Sequence, residues 1–185
     1  KIGDYLQSIT DQASRAGHVL ARVRDFVRRS DDHRSHCDLV QLISDSLTLV
    51  QADLRSRRIS IETTLPNEAV FVLADRIQIQ QVVVNLISNA SDAMVNLPAS
   101  RRTIRLTLQL DDRQAAVEII DDGAGFPAES QEQVFEAFYT SKASGMGMGL
   151  TICNDIIKSH FGTISIGNAP NKGALVRFTL PRSQE

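Results

Sequence analysis

The spacing of apolar residues in the first part of the chain is that of a long amphipathic helix. Apolar or small residues recur in alternating steps of three and four, which is the pattern of a heptad seam. The pattern allows a lone helix packed on a domain, but a strict seam over about four heptads favours one helix of a bundle or coiled coil. The seam positions are Ile2, Leu6, Ile9, Ala13, Ala16, Leu20, Val23 and Val27.

A polar stretch over residues 31–37 interrupts this pattern and predicts a linker. His33, His36 and Cys37 lie in it, but their spacing matches no standard zinc pattern. A solvated hinge is therefore the better interpretation than a metal site. It would separate residues 1–30 from a second domain over residues 38–185.

The second region combines helical stripes with strand-like alternation. Asp38 and Asp75 are predicted N-caps of two helices, and a third helix is expected over residues 151–160. We expect an α+β fold of two layers, one mixed sheet with helices on one face, because helices alternate irregularly with hairpin-joined strands. The predicted strands cover residues 59–63, 70–73, 104–110, 115–120, 163–166 and 175–180, with a hairpin turn over 168–173.

Composition narrows the class of protein. The chain of 185 residues is 42% hydrophobic and 23% charged, as in ordinary globular proteins. A net charge of -2 gives no reason to expect attraction to nucleic acid or membranes. No apolar stretch is long enough to span a bilayer, and no signal-peptide pattern is present. Cys37 and Cys153 are expected to be reduced thiols, which favours a cytoplasmic location. With no spanning stretch, this fragment is expected to make no membrane contact, whether or not the full protein is membrane-bound.

Two amides interrupt the apolar helix that follows Asp75. Asn85 and Asn89 are four residues apart and hence share one helix face. An unpaired buried amide costs roughly 1–3 kcal/mol, so each needs a partner. The partners are either neighbouring backbone groups or a ligand, with Asn89 donating its oxygen to Mg²⁺ and Asn85 near phosphates. The residues alone leave both interpretations open.

The first glycine cluster follows a carboxylate at the end of an apolar strand. Asp121 precedes Gly123 and Gly125. An ionised carboxylate is purely an acceptor and suits an amino group such as that of adenine, while glycines let the backbone approach a ligand closely. A plain Asp-Gly turn is the alternative.

The second cluster, Gly145, Gly147 and Gly149, precedes a helix that begins near Leu150. Glycine-rich entries to helices bind phosphate through free backbone amides and the positive end of the helix dipole. No Gly-Lys-Ser/Thr follows, so this is not a P-loop. A flexible loop is the alternative, although lids are both flexible and functional. Lys142 is a candidate phosphate contact by its charge, although a solvated surface lysine is the simpler interpretation.

The order of these motifs closely resembles the ATP-binding catalytic domain of sensor histidine kinases of two-component systems. The resemblance covers residues 38–181, and residues 1–30 resemble the second helix of the dimerisation and phosphotransfer hairpin. The matching segments are the N box at 85–93, the first glycine box at 121–125, the F box at 135–138 and the second glycine box at 145–150.

This resemblance implies the Bergerat ATP-binding sandwich, with ATP and Mg²⁺ as cofactors. It implies that Asn89 binds Mg²⁺ and that Asp121 accepts from the adenine amine. The remaining implied nucleotide-binding residues are Asn85, Gly123, Gly125, Lys142, Gly145, Gly147, Gly149 and Leu150.

The implied activity is transfer of the ATP γ-phosphoryl group to a histidine and then to a response-regulator aspartate, in a homodimer held by the N-terminal helix. Hydrolytic relatives carry a general-base glutamate at the position of Asn85. An amide cannot take a proton near neutral pH, which favours a kinase over an ATPase. The alternatives are a Bergerat-type ATPase and a nucleotide-sensing or dimerising module without kinase activity.

The phosphoacceptor histidine of the family has no match in this chain. It stands on the first hairpin helix, before an acidic residue. None of the four histidines, His18, His33, His36 and His160, has that context. We therefore expect the acceptor to lie outside this chain, and we assign no catalytic residue within it.

Overall fold

The computed structural model describes residues 33–127, 134–135, 148–170 and 173–183. The predicted heptad helix over residues 1–30 lies outside the described residues, and so do Lys142, Gly145 and Gly147. In the described part, the helices are α1 Leu39–Ser56, α2 Arg76–Ala93 and α3 Gly149–Ser159, with a short 3-10 helix at Ala99–Arg101. The strands are β1 Ser35–Asp38, β2 Ser60–Thr64, β3 Phe71–Ala74, β4 Thr103–Leu110, β5 Gln114–Asp121, β6 Thr163–Asn168 and β7 Ala174–Pro181.

Aspartate caps begin the first two helices. Asp38 accepts a hydrogen bond from the Val40 amide at 2.9 Å. Asp75 accepts from the amides of Ile77 and Gln78 at 2.9 and 3.2 Å. These bonds satisfy first-turn donors that have no partner within the helix. Both N-caps predicted from the sequence are confirmed, and they fix where α1 and α2 begin.

The main sheet has five strands in the order β2-β4-β5-β7-β6. It is mixed because β2 runs parallel to β4 whereas the other neighbouring strands are antiparallel. In the described part of the chain, α2 contacts β4 and β5, α3 contacts β6 and β7, and α1 packs on α2. The core lies between these two layers. Its sheet side is formed by residues that alternate along the strands, among them Ile104, Leu106, Leu108, Val117, Ile119 and Phe178.

The opposite face of the sheet is polar. Arg105 pairs there with Asp122 at 3.0 Å, and Arg177 pairs with Glu118 at 3.3 Å. A sheet with one apolar and one charged face needs a covering layer only on the apolar side. The predicted α+β fold, with helices against one mixed sheet, is confirmed.

The linker prediction is wrong for residues 35–37. These residues belong to β1, which pairs antiparallel with β3 in a separate two-stranded sheet. Cys37 is buried there, and its single thiol proton has three acceptors within reach, the carbonyl oxygens of Ser35, Ala74 and Val72 at 3.3, 3.4 and 3.7 Å. The sequence shows no strand pattern here because Ser35 and His36 are exposed, so that Cys37 is the one buried residue before Asp38.

Candidate functional site

The start of α3 lies beside the amide stripe of α2. A Cβ atom at Gly149 would lie 3.5 Å from Nδ2 and 3.9 Å from Oδ1 of Asn89. Asn89 and Asn85 lie one turn apart on α2 and are both partly exposed. The fold therefore brings Asn89 of the N box and Gly149 of the second glycine cluster together, although they are 60 positions apart in sequence.

Asn85 carries an unpaired donor. Its Nδ2 atom is buried, and no atom in the described part of the chain accepts a hydrogen bond from it. Buried polar groups almost always have a partner, so this one needs an explanation. Such a donor would be satisfied by an acceptor on a ligand, such as a phosphate oxygen.

In the described part of the chain, no side chain caps the N-terminus of α3. Met148 occupies the N-cap position without a side-chain hydrogen bond, and the first turn has no acidic residue. Among the described residues, the leading amides and the positive end of the helix dipole are therefore open to an anion. The helix begins at Gly149, so Gly149 and Leu150 both belong to its first turn, and Leu150 packs on the core. Thr151 secures this end by donating to the carbonyl of Phe135 at 3.0 Å.

Asp121 ends β5 with its side chain on the apolar face of the sheet. It lies opposite Ile104 in the strand register and is only 4% exposed. Its Oδ1 accepts from the amides of Gly123 at 2.7 Å and Ala174 at 3.2 Å. Bonds from backbone amides to an ionised carboxylate are strong ones and hold this side chain in one orientation.

The first glycine cluster is packed too tightly for side chains. A Cβ atom at Gly123 would lie 2.7 Å from Oδ1 of Asp121 and 3.0 Å from Cβ of Ala93, at the end of α2. Gly125 has a φ of +77°, which side chains disfavour, and its Cβ would lie 2.6 Å from Oδ1 of Asn168. Asp121 and its loop are thus joined to the end of α2 and to β6.

Sequence reasoning missed Asn168 and Gly173, which it assigned only to a turn. The Asn168 side chain accepts from the Phe126 amide at 2.7 Å and donates to the Phe126 carbonyl at 2.8 Å. Gly173 has a φ of +98° and lies against the backbone of Asp121. A glycine in a hairpin turn was a usable signal for Gly173, whereas nothing in the local sequence distinguishes Asn168 from any other turn asparagine.

Of the F box, the structure describes only Phe135, which is half-buried, and its neighbour Val134 is buried. Among the described residues, no group of three or more His, Cys, Asp or Glu side chains could hold a metal ion. In the same part of the chain, no helix is both long and apolar enough to cross a membrane.

His160 is part of the framework. Its Nε2 accepts from the Asp75 amide at 3.0 Å, and its Nδ1 lies 2.7 Å from the carbonyl oxygen of Ile156. A backbone amide only donates, so Nε2 is the acceptor in the first of these bonds. The Nε2 bond joins the end of α3 to the residue that caps α2, the Nδ1 contact lies within α3, and the side chain is buried.

Comparisons with known proteins agree with this geometry. Residues 74–184 match the family described as histidine kinase-, DNA gyrase B-, and HSP90-like ATPase. The sensor protein FixL of Bradyrhizobium diazoefficiens is 37% identical over 185 residues, covering 100% of this chain and 36% of that protein. The sensor protein DctS of Rhodobacter capsulatus, for C4-dicarboxylate transport, is 34% identical over 174 residues, covering 94% of this chain and 26% of that protein. The chain spans roughly a third of the length of these curated relatives.

Solved structures share the fold. The nucleotide-free catalytic domain of histidine kinase ThkA is 30% identical, with a TM-score of 0.72 over 81% of this chain and 96% of that chain. ThkA in complex with response regulator protein TrrA is 26% identical, with a TM-score of 0.78 over 97% of this chain and 51% of that chain. The mycobacterial sensor histidine kinase MprB is also 26% identical, with a TM-score of 0.70 over 82% of this chain and 99% of that chain.

Proposed function

Because the chain belongs to the family of histidine kinase-, DNA gyrase B- and HSP90-like ATPases, we propose that it is the ATP-binding catalytic part of a sensor histidine kinase. It would transfer the γ-phosphoryl group of ATP to a histidine outside this chain, and from there the group would pass to a response-regulator aspartate. The resemblance found in the sequence motifs is confirmed for the family and for the fold.

One observation carries the proposal: the buried, unpaired amide of Asn85 lies on the same α2 stripe as Asn89, which faces the uncapped start of α3. Gly149 is the first residue of that helix and lies beside Asn89. Its backbone is helical, and a Cβ there would make only ordinary contacts, so the fold itself does not require glycine. Its missing side chain leaves space beside Asn89 and the first amides of α3 in which a phosphate could lie.

The residues present fit a magnesium nucleotide. Mg²⁺ keeps several waters and substrate phosphates, so Asn89 Oδ1 is a sufficient protein ligand. Asn85 would donate to a phosphate oxygen. When bound, the metal neutralises phosphate charge. Gly145, Gly147 and Lys142 remain proposed lid and phosphate contacts on sequence grounds.

The adenine end would lie at Asp121. An ionised carboxylate is purely an acceptor, so Asp121 would accept from the exocyclic amine of adenine. The amides of Gly123 and Ala174, which donate to its Oδ1, hold the carboxylate in one orientation.

Transfer fits this chain better than hydrolysis. Asn85 cannot act as a general base, so catalysis would come from positioning and charge stabilisation by α2 and the lid amides. His160 is engaged through both ring nitrogens and is not available as an acceptor. Dimerisation through residues 1–30 and binding of a response regulator complete the proposal, supported by the resemblance and by the ThkA complex.

Calorimetric titration with ADP and ATP, with and without Mg²⁺, tests the nucleotide site. Asp121→Asn keeps an oxygen for the two backbone amides but replaces the other carboxylate oxygen with a donor. We expect its ADP affinity to fall by at least about tenfold, as for the loss of a charge-assisted hydrogen bond. The matched control is Asp122→Asn, since Asp122 pairs with Arg105 on the polar face. Equal affinity in Asp121→Asn would refute the adenine assignment, and no binding by folded wild type would favour an interaction module.

A separate assay must distinguish phosphoryl transfer to protein from hydrolysis of ATP. With radiolabelled ATP and a histidine-containing acceptor helix supplied in trans, label should appear on protein rather than as free phosphate. Steady hydrolysis that disappears in Asn89→Ala, without labelled protein, would instead identify an ATPase.

A further inference from the structure

The Asn168 side chain forms two hydrogen bonds with the backbone of the first glycine loop. We call this pair of hydrogen bonds the Asn168 grip. The Oδ1 atom of Asn168 accepts from the Phe126 amide at 2.7 Å, and its Nδ2 donates to the Phe126 carbonyl at 2.8 Å. Both polar groups of one residue, 42 positions away, are thus bonded to both polar groups of the amide side chain. The geometry mimics a pair of strand hydrogen bonds beyond the end of β5.

Gly125 leaves room for the Asn168 side chain because it has no Cβ atom. A Cβ atom there would lie 2.6 Å from Oδ1 and 3.1 Å from Cγ of Asn168. The positive φ of Gly125 turns the chain so that Phe126 presents its backbone to the amide. Gly125 of the first glycine box therefore contacts Asn168 within the protein, in addition to any contact with a ligand.

The β6–β7 hairpin, which carries Asn168, also bonds to the other end of the loop. The amide of Ala174, at the start of β7, donates to Oδ1 of Asp121. Gly173 packs against the Asp121 backbone. The β6–β7 hairpin therefore holds residues 121–126 at both ends, at the carboxylate and at the Gly125 corner.

We propose that Asn168 is a positioning residue for nucleotide binding, which sets the place of the Gly125–Phe126 corner against the base bound at Asp121. This inference rests on the proposed ATP site. It assigns to β6 a part in recognition of the base that neither glycine box contains. Asn168 would act only through the loop backbone.

The grip contributes little to overall stability, because it is exposed and its bonds compete with water. Its effect lies in restricting the loop before the ligand arrives, which lowers the entropy lost on binding. A merely structural residue would change the unfolding free energy, whereas a positioning residue changes nucleotide affinity at nearly constant stability.

Asn168→Ala tests this role, with Ser165→Ala as control because Ser165 is an exposed residue of the same strand. We expect ADP dissociation constants to rise about fivefold to tenfold, as for the loss of one or two modest hydrogen bonds. The rise should be equal for ADP and ATP and independent of Mg²⁺, because the corner faces the base. The urea midpoint should stay close to wild type in both variants.

Amide hydrogen exchange by NMR, without nucleotide, supplies the readout that needs no ligand. The Phe126 amide should exchange at least about tenfold faster in Asn168→Ala and remain protected in Asn168→Asp, which keeps the acceptor. Asn168→Asp loses the donor to the Phe126 carbonyl, so it should recover only part of the ADP affinity.

Two results would overturn the inference. Unchanged Phe126 exchange in Asn168→Ala would show that the grip does not order the loop. Faster exchange with ADP affinity within about twofold of wild type would show that the ordered corner does not matter for binding. Failure of the proposed function is distinguishable, because then the wild type itself would bind no ADP.

Discussion

Gly173 lies directly against the backbone of Asp121, so that a Cβ atom at Gly173 would lie 1.9 Å from the Asp121 carbonyl oxygen. This contact joins the β6–β7 turn to the end of β5. It explains why a residue remote from both glycine clusters controls the place of the buried carboxylate.

Gly173→Ala should therefore destabilise the fold and weaken nucleotide binding. The φ of +98° disfavours a side chain, and the clash is with backbone, which cannot swing away. We expect a loss of at least about 2 kcal/mol in the urea unfolding free energy. Gly167→Ala is the matched control, because a Cβ at Gly167 meets nothing within 4 Å. Equal losses in both variants would contradict the packing argument.

Gly149→Ala should separate stability from binding. Its Cβ would make only ordinary contacts with Asn89, at 3.5 and 3.9 Å, and alanine favours helix. We expect the unfolding free energy to rise by about 0.5 kcal/mol. The added methyl group occupies space beside the first amides of α3, so ATP affinity should fall about threefold to tenfold. Lys158→Ala, at an exposed position of α3, serves as control. Unchanged ATP affinity in Gly149→Ala would show that no phosphate binds beside Gly149.

Asn89→Ala should weaken binding of Mg²⁺-ATP more than binding of metal-free ADP. The amide oxygen is the proposed protein ligand of the metal, so its contribution disappears when the metal is absent. We expect about a tenfold larger loss with Mg²⁺ in calorimetric titrations, equivalent to one strong hydrogen bond. Ser88→Ala, at the neighbouring exposed position, should leave both affinities unchanged. Equal losses with and without Mg²⁺ would assign Asn89 a structural role.

Cys37 should make stability fall at high pH. Burial raises the pKa of its thiol above the ordinary value of 9.0, so the native state keeps the proton that the unfolded chain loses. The contribution of the protonated thiol to the free energy of unfolding is complete below the pKa of the thiol in the unfolded chain. It is lost as the pH rises toward the pKa in the folded state, and the free energy of unfolding then falls by at most about 1.4 kcal/mol per pH unit. Urea unfolding from pH 7 to 10 should show a steeper decline in wild type than in Cys37→Ala. Parallel curves would mean that the native thiolate forms without cost.

The site was predictable in its local parts. Asp38 and Asp75 could be assigned as caps because a side chain and an amide two or three residues later interact within one turn. The stripe of Asn85 and Asn89 follows from helical periodicity in the same way. The strand at residues 35–38 was missed because only Cys37 is buried in it, and one apolar residue makes no period.

By itself, therefore, the sequence determined the three α-helices and the main-sheet strands of residues 38–185, the two-layer fold and the family, because periodicity, caps and glycine spacing are local properties. Only the tertiary structure decided which distant residues meet. The contacts of Gly149 with Asn89, Gly173 with Asp121 and Asn168 with Phe126 join segments from different parts of the chain. No local pattern encodes such pairings, because they depend on strand order and on how the helices pack against the sheet.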